Sequence, residues 1–488
     1  MSEQPNIMVI HCHDLGKHLG CYGRGLETPN IDRLATEGVL FTNHFGTAPY
    51  CAPSRCSRST GLYPINHGAT GQTTMGFELR NDVKTLPVYM NELGYDTWLL
   101  GLQHESVDRG RLGYKHDPSP LIRAMDVTPR VEEFLENYDL SSGPFYADVG
   151  FFEVHSTRPL GGYGAGETED TDKRLKPLFI KPGEQEKYMG KVAVATPNAC
   201  DPYERLYEPD EVQPLPYLPD RLSFREDIAD LNAQVTNVVD VMVGRIMKKL
   251  EETGFARNTL VIFTSDHGIC MPRAKGTMYD AGVEVSLIMR LPERFQAGQK
   301  ADALLSNIDL LPTLIELAGG TPPNNIDGRS FLPLLDGRDY KAQDHIFFDN
   351  EWHGRYFGQR GVRSGRYKYF RSFNPQGRYI ITHRAGRSFR ELAADVRMDH
   401  YPPIEEFYDL ENDPHEQHNL APARSIHDIL GARKDRAYSA DPDHEEMLRQ
   451  MRGILYDRML AMFDPLLEGP IPHPAYGMLW DETLFPRG

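Results

Sequence analysis

Residues 6–14 read NIMVIHCHD and residues 259–268 read TLVIFTSDHG: two short apolar runs, each ending in an acid beside a histidine. Runs of this length and composition are what strands buried on both faces of a parallel sheet produce. Each delivers its polar residues, His13-Asp14 and Asp266-His267, at the carboxyl end of the strand. That is where an open α/β sheet receives its ligand. One Asp-His pair after a strand is a common turn or helix cap. Two such pairs on different strands suggest a hard-cation site, because a divalent metal needs charged oxygens held on rigid elements.

Outward from these runs, the first 330 residues alternate strand and helix signals. Further strands are predicted at 96–100, 145–151 and 286–290. Helices with apolar spacing of three and four are predicted at 86–93, 131–138 and 228–253, and one more within 308–320. This pattern predicts an α/β fold, a mostly parallel central sheet covered by helices on both faces. From about residue 345 the chain changes to short aromatic-rich runs separated by glycines, which reads as a small antiparallel sheet. The expected division is a large domain over 1–345 and a smaller C-terminal α+β domain over 346–488. Residues 156–222, rich in Pro, Gly, Lys and Glu, read as an insertion lying near the site. The proline-rich tail from Pro465 is a candidate contact for a homo-oligomer.

Composition excludes several classes of function. A chain of 488 residues with 40% hydrophobic and 25% charged residues buries a large core. Its net charge of −17 opposes nucleic acid and acidic membrane surfaces, both polyanions. An anionic small substrate therefore needs a locally basic pocket. The six cysteines (Cys12, Cys21, Cys51, Cys56, Cys200 and Cys270) show no framework spacing. With no leader signal and no apolar stretch of transmembrane length, the expected location is the cytoplasm.

Residues 51–55 read CAPSR, with Thr60-Gly61 behind them. The string CxPSR followed by TG is the signature from which formylglycine-dependent sulfatases make their catalytic aldehyde, and the chain resembles that family, a branch of the alkaline phosphatase superfamily. Other segments resemble family landmarks in the same order: GCYG at 20–23, TPNIDRLATEGVLFTNHF at 28–45, KGTMYDAG at 275–282, IDLLPTL at 308–314, VRSGRYKY at 362–369 and FYDLENDPHEQHNLA at 407–421. The resemblance implies a metal held by Asp14, Cys51 as formylglycine, Asp266 and His267; His13 is either a further ligand or a residue that only borders the site. Most members carry Asp-Asp where this chain has His13-Asp14. A nitrogen donor there makes manganese or zinc worth testing beside the calcium the family implies.

The same resemblance implies a reaction. Cys51, oxidised by a formylglycine-generating enzyme, hydrates to a geminal diol; one hydroxyl attacks sulfur and the other later expels sulfate. Arg55, one turn along the helix, would orient the diol, and His104 would take its proton. His155 would protonate the leaving alcohol, and Lys275 would contact the sulfate. The family's GKxH lysine is absent, because Leu102 stands in its place. The expected activity is hydrolysis of a small sulfated substrate, an aryl sulfate or sulfated carbohydrate. Two other readings stay open: a phosphonate monoester or phosphodiester hydrolase of the same superfamily, and a member that binds an anion without turnover. His353, Arg355, Arg360 and His383 are candidates for substrate specificity.

Overall fold

The apolar runs become strands in the computed structural model, which describes residues 4–118, 121–155, 207–353, 356–374, 403–421 and 441–471. Seven strands form one sheet: β1 Asn6–Cys12, β2 Val39–Phe41, β3 Asp96–Gly101, β4 Phe145–Gly150, β5 Thr259–Ser265, β6 Leu287–Arg290 and β7 Gln299–Ala301. Their order is β3-β4-β1-β5-β6-β2-β7. The pairs from β3 to β5 are parallel, as is β2 with β7, whereas β6 runs antiparallel to both of its neighbours. The sheet is thus mostly parallel, with β1 and β5 side by side at its centre. That pairing sets Cys12 opposite Ser265, so both acid-histidine pairs leave the sheet at one place.

Alternation along β1 explains the layers on either side. Met8, Ile10 and Cys12 enter one core with Val127 and Val131 of helix Ala124–Asn137 and with Val243 and Ile246 of helix Val241–Glu252. Ile7 and Val9 enter the other core with Leu86, Met90, Leu311 and Leu314. The predicted helix over 131–138 begins seven residues earlier and carries Pro129 inside it. Proline removes only one hydrogen bond there, and the burial of Val127 outweighs that loss. The predicted helix over 228–253 starts at Leu222 and passes through a π-helical turn, Val235–Asp240. Asp240 in that turn accepts hydrogen bonds from the backbone N–H groups of Asn30 and Ile31 at the start of helix Pro29–Glu37.

Four strands form the antiparallel sheet: β8 Ile346–Trp352, β9 Tyr356–Arg363, β10 Tyr367–Ser372 and β11 Glu405–Asp409. One face packs Val362, Tyr369 and Phe407 on Leu448, Met451 and Leu455 of helix Pro442–Ala461. The other packs Phe348, Phe370 and Tyr408 on Phe45, Met278 and Val283 beside the large sheet. Arg360, a candidate for substrate contact, instead points inward. It is fully buried and pairs with Glu351 and, at 2.6 Å, with Asp464. Arg355, His383, Cys200, most of the insertion and the chain beyond 471 lie outside the described residues. The described cysteines are free thiols. Among the described residues no helix is long and apolar enough to cross a membrane.

Three histidines far from the strand ends are buried in the neutral form. Burial first of all pushes His18 down to about 4 and His44 and His67 down to about 3, from an ordinary 6.5. The unfolded chain takes up protons at these positions below about 6.5 and the folded chain does not. Stability is therefore complete above that pH and falls as pH drops toward the folded values, by up to about 1.4 kcal/mol per pH unit for each histidine. The thermal midpoint is expected to fall steeply between about pH 6.5 and about pH 4, and less steeply when His44 is replaced by a neutral residue of similar size.

Candidate active site

Helix Cys51–Thr60 carries the site, and all ten of its residues are buried. Six of them are polar, so each needs a partner. Ser57 receives a hydrogen bond from Thr47, and Ser54 donates to the Asp266 carbonyl while accepting from the Asn307 amide. Gly61 ends the helix with φ of 69° and returns its N–H to Ser57, a left-handed turn that favours glycine. Cys51 is the first helical residue, at the positive end of the helix. Gly268 is equally constrained: a Cβ there would sit 1.8 Å from the Ala281 carbonyl oxygen, which lets the chain fold back directly after His267.

His13, Asp14, Cys51, Asp266 and His267 converge, each with a donor atom within 4.8 Å of the others and all buried. Cys51 Sγ lies 3.3 Å from His267 Nε2, which is 3.1 Å from Asp14 Oδ1. Asp266 Oδ1 accepts from the backbone N–H of Asp14 and of His267, both at 2.9 Å. Lys275 Nζ donates to both Asp14 oxygens, at 2.7 and 2.8 Å. His13 Nδ1 stands 3.0 Å from Asp266 Oδ2 without the alignment of a hydrogen bond. Two carboxylates, two imidazoles and a thiol around a buried point, with one imidazole nitrogen left unaligned, are a donor set that fits a divalent cation.

Charge balance supports the fit. Burial opposes ionisation of the Cys51 thiol, but Lys275, His13 and His267 hold it well below its usual range. Burial likewise works against protonated His13 and His267, yet Asp266 and Cys51 hold them up to about 10 and about 9. Burial also disfavours the charged Asp14, and Lys275 overrides it. The acids of the cluster thus favour positive charge on both histidines. A divalent cation replaces such protons on binding.

Around this cluster stand the other residues singled out in the sequence. The His104 and His155 rings lie 5.8 and 5.0 Å from the His13 ring, and both imidazoles reach the Cys51 sulfur. Burial first, then Lys275, lowers His155 below its ordinary value. Arg55 grips Asp266 Oδ2 at 3.0 Å, so it orders a neighbour of position 51. Leu102 is buried and donates its N–H to the Gly150 carbonyl, leaving no cation at that position. His353 stacks on Tyr50, 4.5 Å between centroids, and burial followed by Lys275 pushes it down to about 4. Its place in an aromatic run gave no sign that it packs on the residue before Cys51. Sequence reading placed His11 in the first converging segment without a role and missed Asp148 and Asn307; a lone polar residue inside an apolar strand was the available signal for Asp148.

The mostly parallel central sheet with its small antiparallel partner is an alkaline-phosphatase-like fold, with a strand-end acid cluster and a buried helix that opens at a cysteine. The sulfatase family model matches residues 5–320, and a second, N-sulphoglucosamine sulphohydrolase, C-terminal, matches residues 267–385. The chain belongs to the sulfatase family and is a sulfatase enzyme. It is 29% identical over 489 residues to an ulvan-active sulfatase of Formosa agariphila, covering 97% of this chain and 84% of that protein. It is 27% identical over 502 residues to N-sulphoglucosamine sulphohydrolase of Homo sapiens, covering 94% and 95%. A solved structure in complex with its substrate D-glucosamine-2-N,6-O-disulfate shares the fold, with a TM-score of 0.66 at 19% identity over 95% of this chain and 99% of that one.

Proposed function

We propose that the protein hydrolyses a sulfate group from a sulfated carbohydrate, with position 51 in the formylglycine form and one divalent cation in the five-donor cluster. The observation that carries this reading is the convergence of Cys51 with His13, Asp14, Asp266 and His267 in one buried site. The substrate class is supported by relatives named for ulvan and N-sulphoglucosamine and by the disulfated glucosamine bound to the structural relative. A formylglycine-generating enzyme would supply the aldehyde. The division into a catalytic unit up to about residue 345 and a smaller unit after it is part of the same proposal.

His13, Asp14, Asp266 and His267 would hold the cation, which supplies Lewis acidity toward the sulfate oxygens and lowers the pKa of the hydrated aldehyde. The chain's own residues do the rest. The N-terminus of helix Cys51–Thr60 sets its positive end at position 51, which favours an anion there. Lys275 meets the sulfate charge from the side of Asp14. His104 is placed to take a proton from the position-51 side chain, and His155 to give one to the leaving oxygen. An arriving anion raises the His155 pKa against the influence of burial and Lys275, favouring the protonated form this step needs.

Comparing kcat/KM on nitrophenyl sulfate, on a sulfated glucosamine and on a nitrophenyl phosphonate monoester tests the reading. The sulfated substrates are expected to win, and preference for the phosphonate would sink the assignment. The cation makes a separate prediction. Removing it with a chelator is expected to lower the thermal midpoint, and restoring it at about a hundred times its Kd to return about 2.7 kcal/mol of stability. Calcium, manganese and zinc, titrated singly, rank the site's preference.

A further inference from the structure

We propose that Asp148 and His11 are positioning residues for this site, a buried relay that fixes the Arg55 guanidinium and through it Asp266. The inference rests on the functional reading above. A guanidinium has only donors, and Arg55 Nη1 lies 2.6 Å from His11 Nδ1, so that nitrogen must present its lone pair. The ring proton then sits on Nε2, which lies 2.7 Å from Asp148 Oδ1. The Arg55 side thus fixes the tautomer, and Asp148 Oδ1 faces the protonated nitrogen at ion-pair distance without the alignment of a hydrogen bond. Arg55 spends its other donors on Asp266 Oδ2 and, at 3.3 Å, on the Cys12 carbonyl, and it is 1% exposed. Held at three edges, it keeps Asp266 oriented while Oδ1 of that acid receives the N–H groups of Asp14 and His267.

The location strengthens the case. His11 continues the strand face of Ile7 and Val9, and Asp148 that of Tyr146, a face otherwise given to an apolar core. A histidine and an acid there are costly unless fully partnered. Asp148 also accepts from Tyr114 at 2.8 Å and from Arg58 at 3.3 Å. Arg58 reaches Glu105 Oε1 at 3.5 Å, and Glu105 Oε2 accepts the His104 N–H at 2.6 Å. One buried acid therefore stands behind both the metal-side acid and the turn that presents His104.

The test uses variants that split the two ring nitrogens, made in the full chain co-expressed with a formylglycine-generating enzyme. His11→Asn keeps an acceptor near the Nδ1 place for Arg55 and gives up the donor to Asp148. His11→Gln keeps a donor near the Nε2 place and leaves Arg55 without its acceptor. On nitrophenyl sulfate, H11N is expected to keep kcat within about tenfold and H11Q to lose about a hundredfold, with KM nearly constant in both. Asp148→Asn turns an amide donor toward Nε2, forces the other tautomer against Arg55, and is expected to lose at least as much as H11Q. Equal losses in H11N and H11Q that track their thermal midpoints would overturn the proposal and leave a structural role only. Crystal structures of both variants read the relay without turnover: the Arg55 to Asp266 contact is kept in H11N and lost in H11Q, and its survival in H11Q would equally overturn it. If the wild type turns over no sulfate, the functional reading falls while these structures still decide the relay.

Discussion

Cys51→Ala is expected to abolish sulfate hydrolysis, by roughly 10^4-fold or more, because in the proposed function the side chain at this position supplies the bond-forming atom. The fold has little reason to follow. The side chain is small, and its removal takes away one buried anion while His13, His267 and Lys275 keep Asp14 and Asp266 as partners. The distinguishing measurement is therefore a pair: kcat on nitrophenyl sulfate and the thermal midpoint of the same preparation. Loss of turnover with a midpoint within a few degrees of wild type supports a nucleophile at position 51. Retained turnover would move the chemistry elsewhere in the cluster.

Lys275→Met is expected to cost both activity and stability. Its ammonium lies within 2.8 Å of both Asp14 oxygens, and neither residue is exposed beyond 3%. Breaking a buried pair by removing one partner leaves an uncompensated charge, at a cost of about 3–5 kcal/mol. If Lys275 meets the sulfate as proposed, loss of its positive charge is expected to remove about 10^2–10^3-fold in kcat. Urea denaturation with and without added divalent cation separates the two effects. The cation should restore much of the stability, since it neutralises Asp14, but little of the activity, since it cannot stand where the ammonium stood. Leu102 supplies no cation at its own position to cover the loss.

Much of this arrangement is legible along the chain because its key residues sit where strands and helices end. Apolar runs that stop at His13-Asp14 and Asp266-His267 declare both a buried sheet and the edge at which it opens. The cysteine at 51 is legible because proline and arginine follow it at fixed spacing in one helix. Other features depend on what pairs with what. His11 and Asp148 lie on neighbouring strands far apart in sequence, and each alone reads as an oddity in an apolar run. The antiparallel course of Leu287–Arg290 depends on the connection that feeds it, as its composition suits either direction. Arg360 reads as a candidate for substrate specificity until the acids at 349, 351 and 464 are brought around it. His353 gains its place only through the fold that sets β8 against Tyr50.

The central claim is that Cys51 is the precursor of the nucleophile and not a working thiol. Mass spectrometry of the peptide spanning residue 51, from protein co-expressed with a formylglycine-generating enzyme, tests it most directly. The account predicts the mass loss that accompanies conversion of thiol to aldehyde, in a fraction of molecules that rises in step with sulfatase activity. An unmodified cysteine in fully active protein would contradict it.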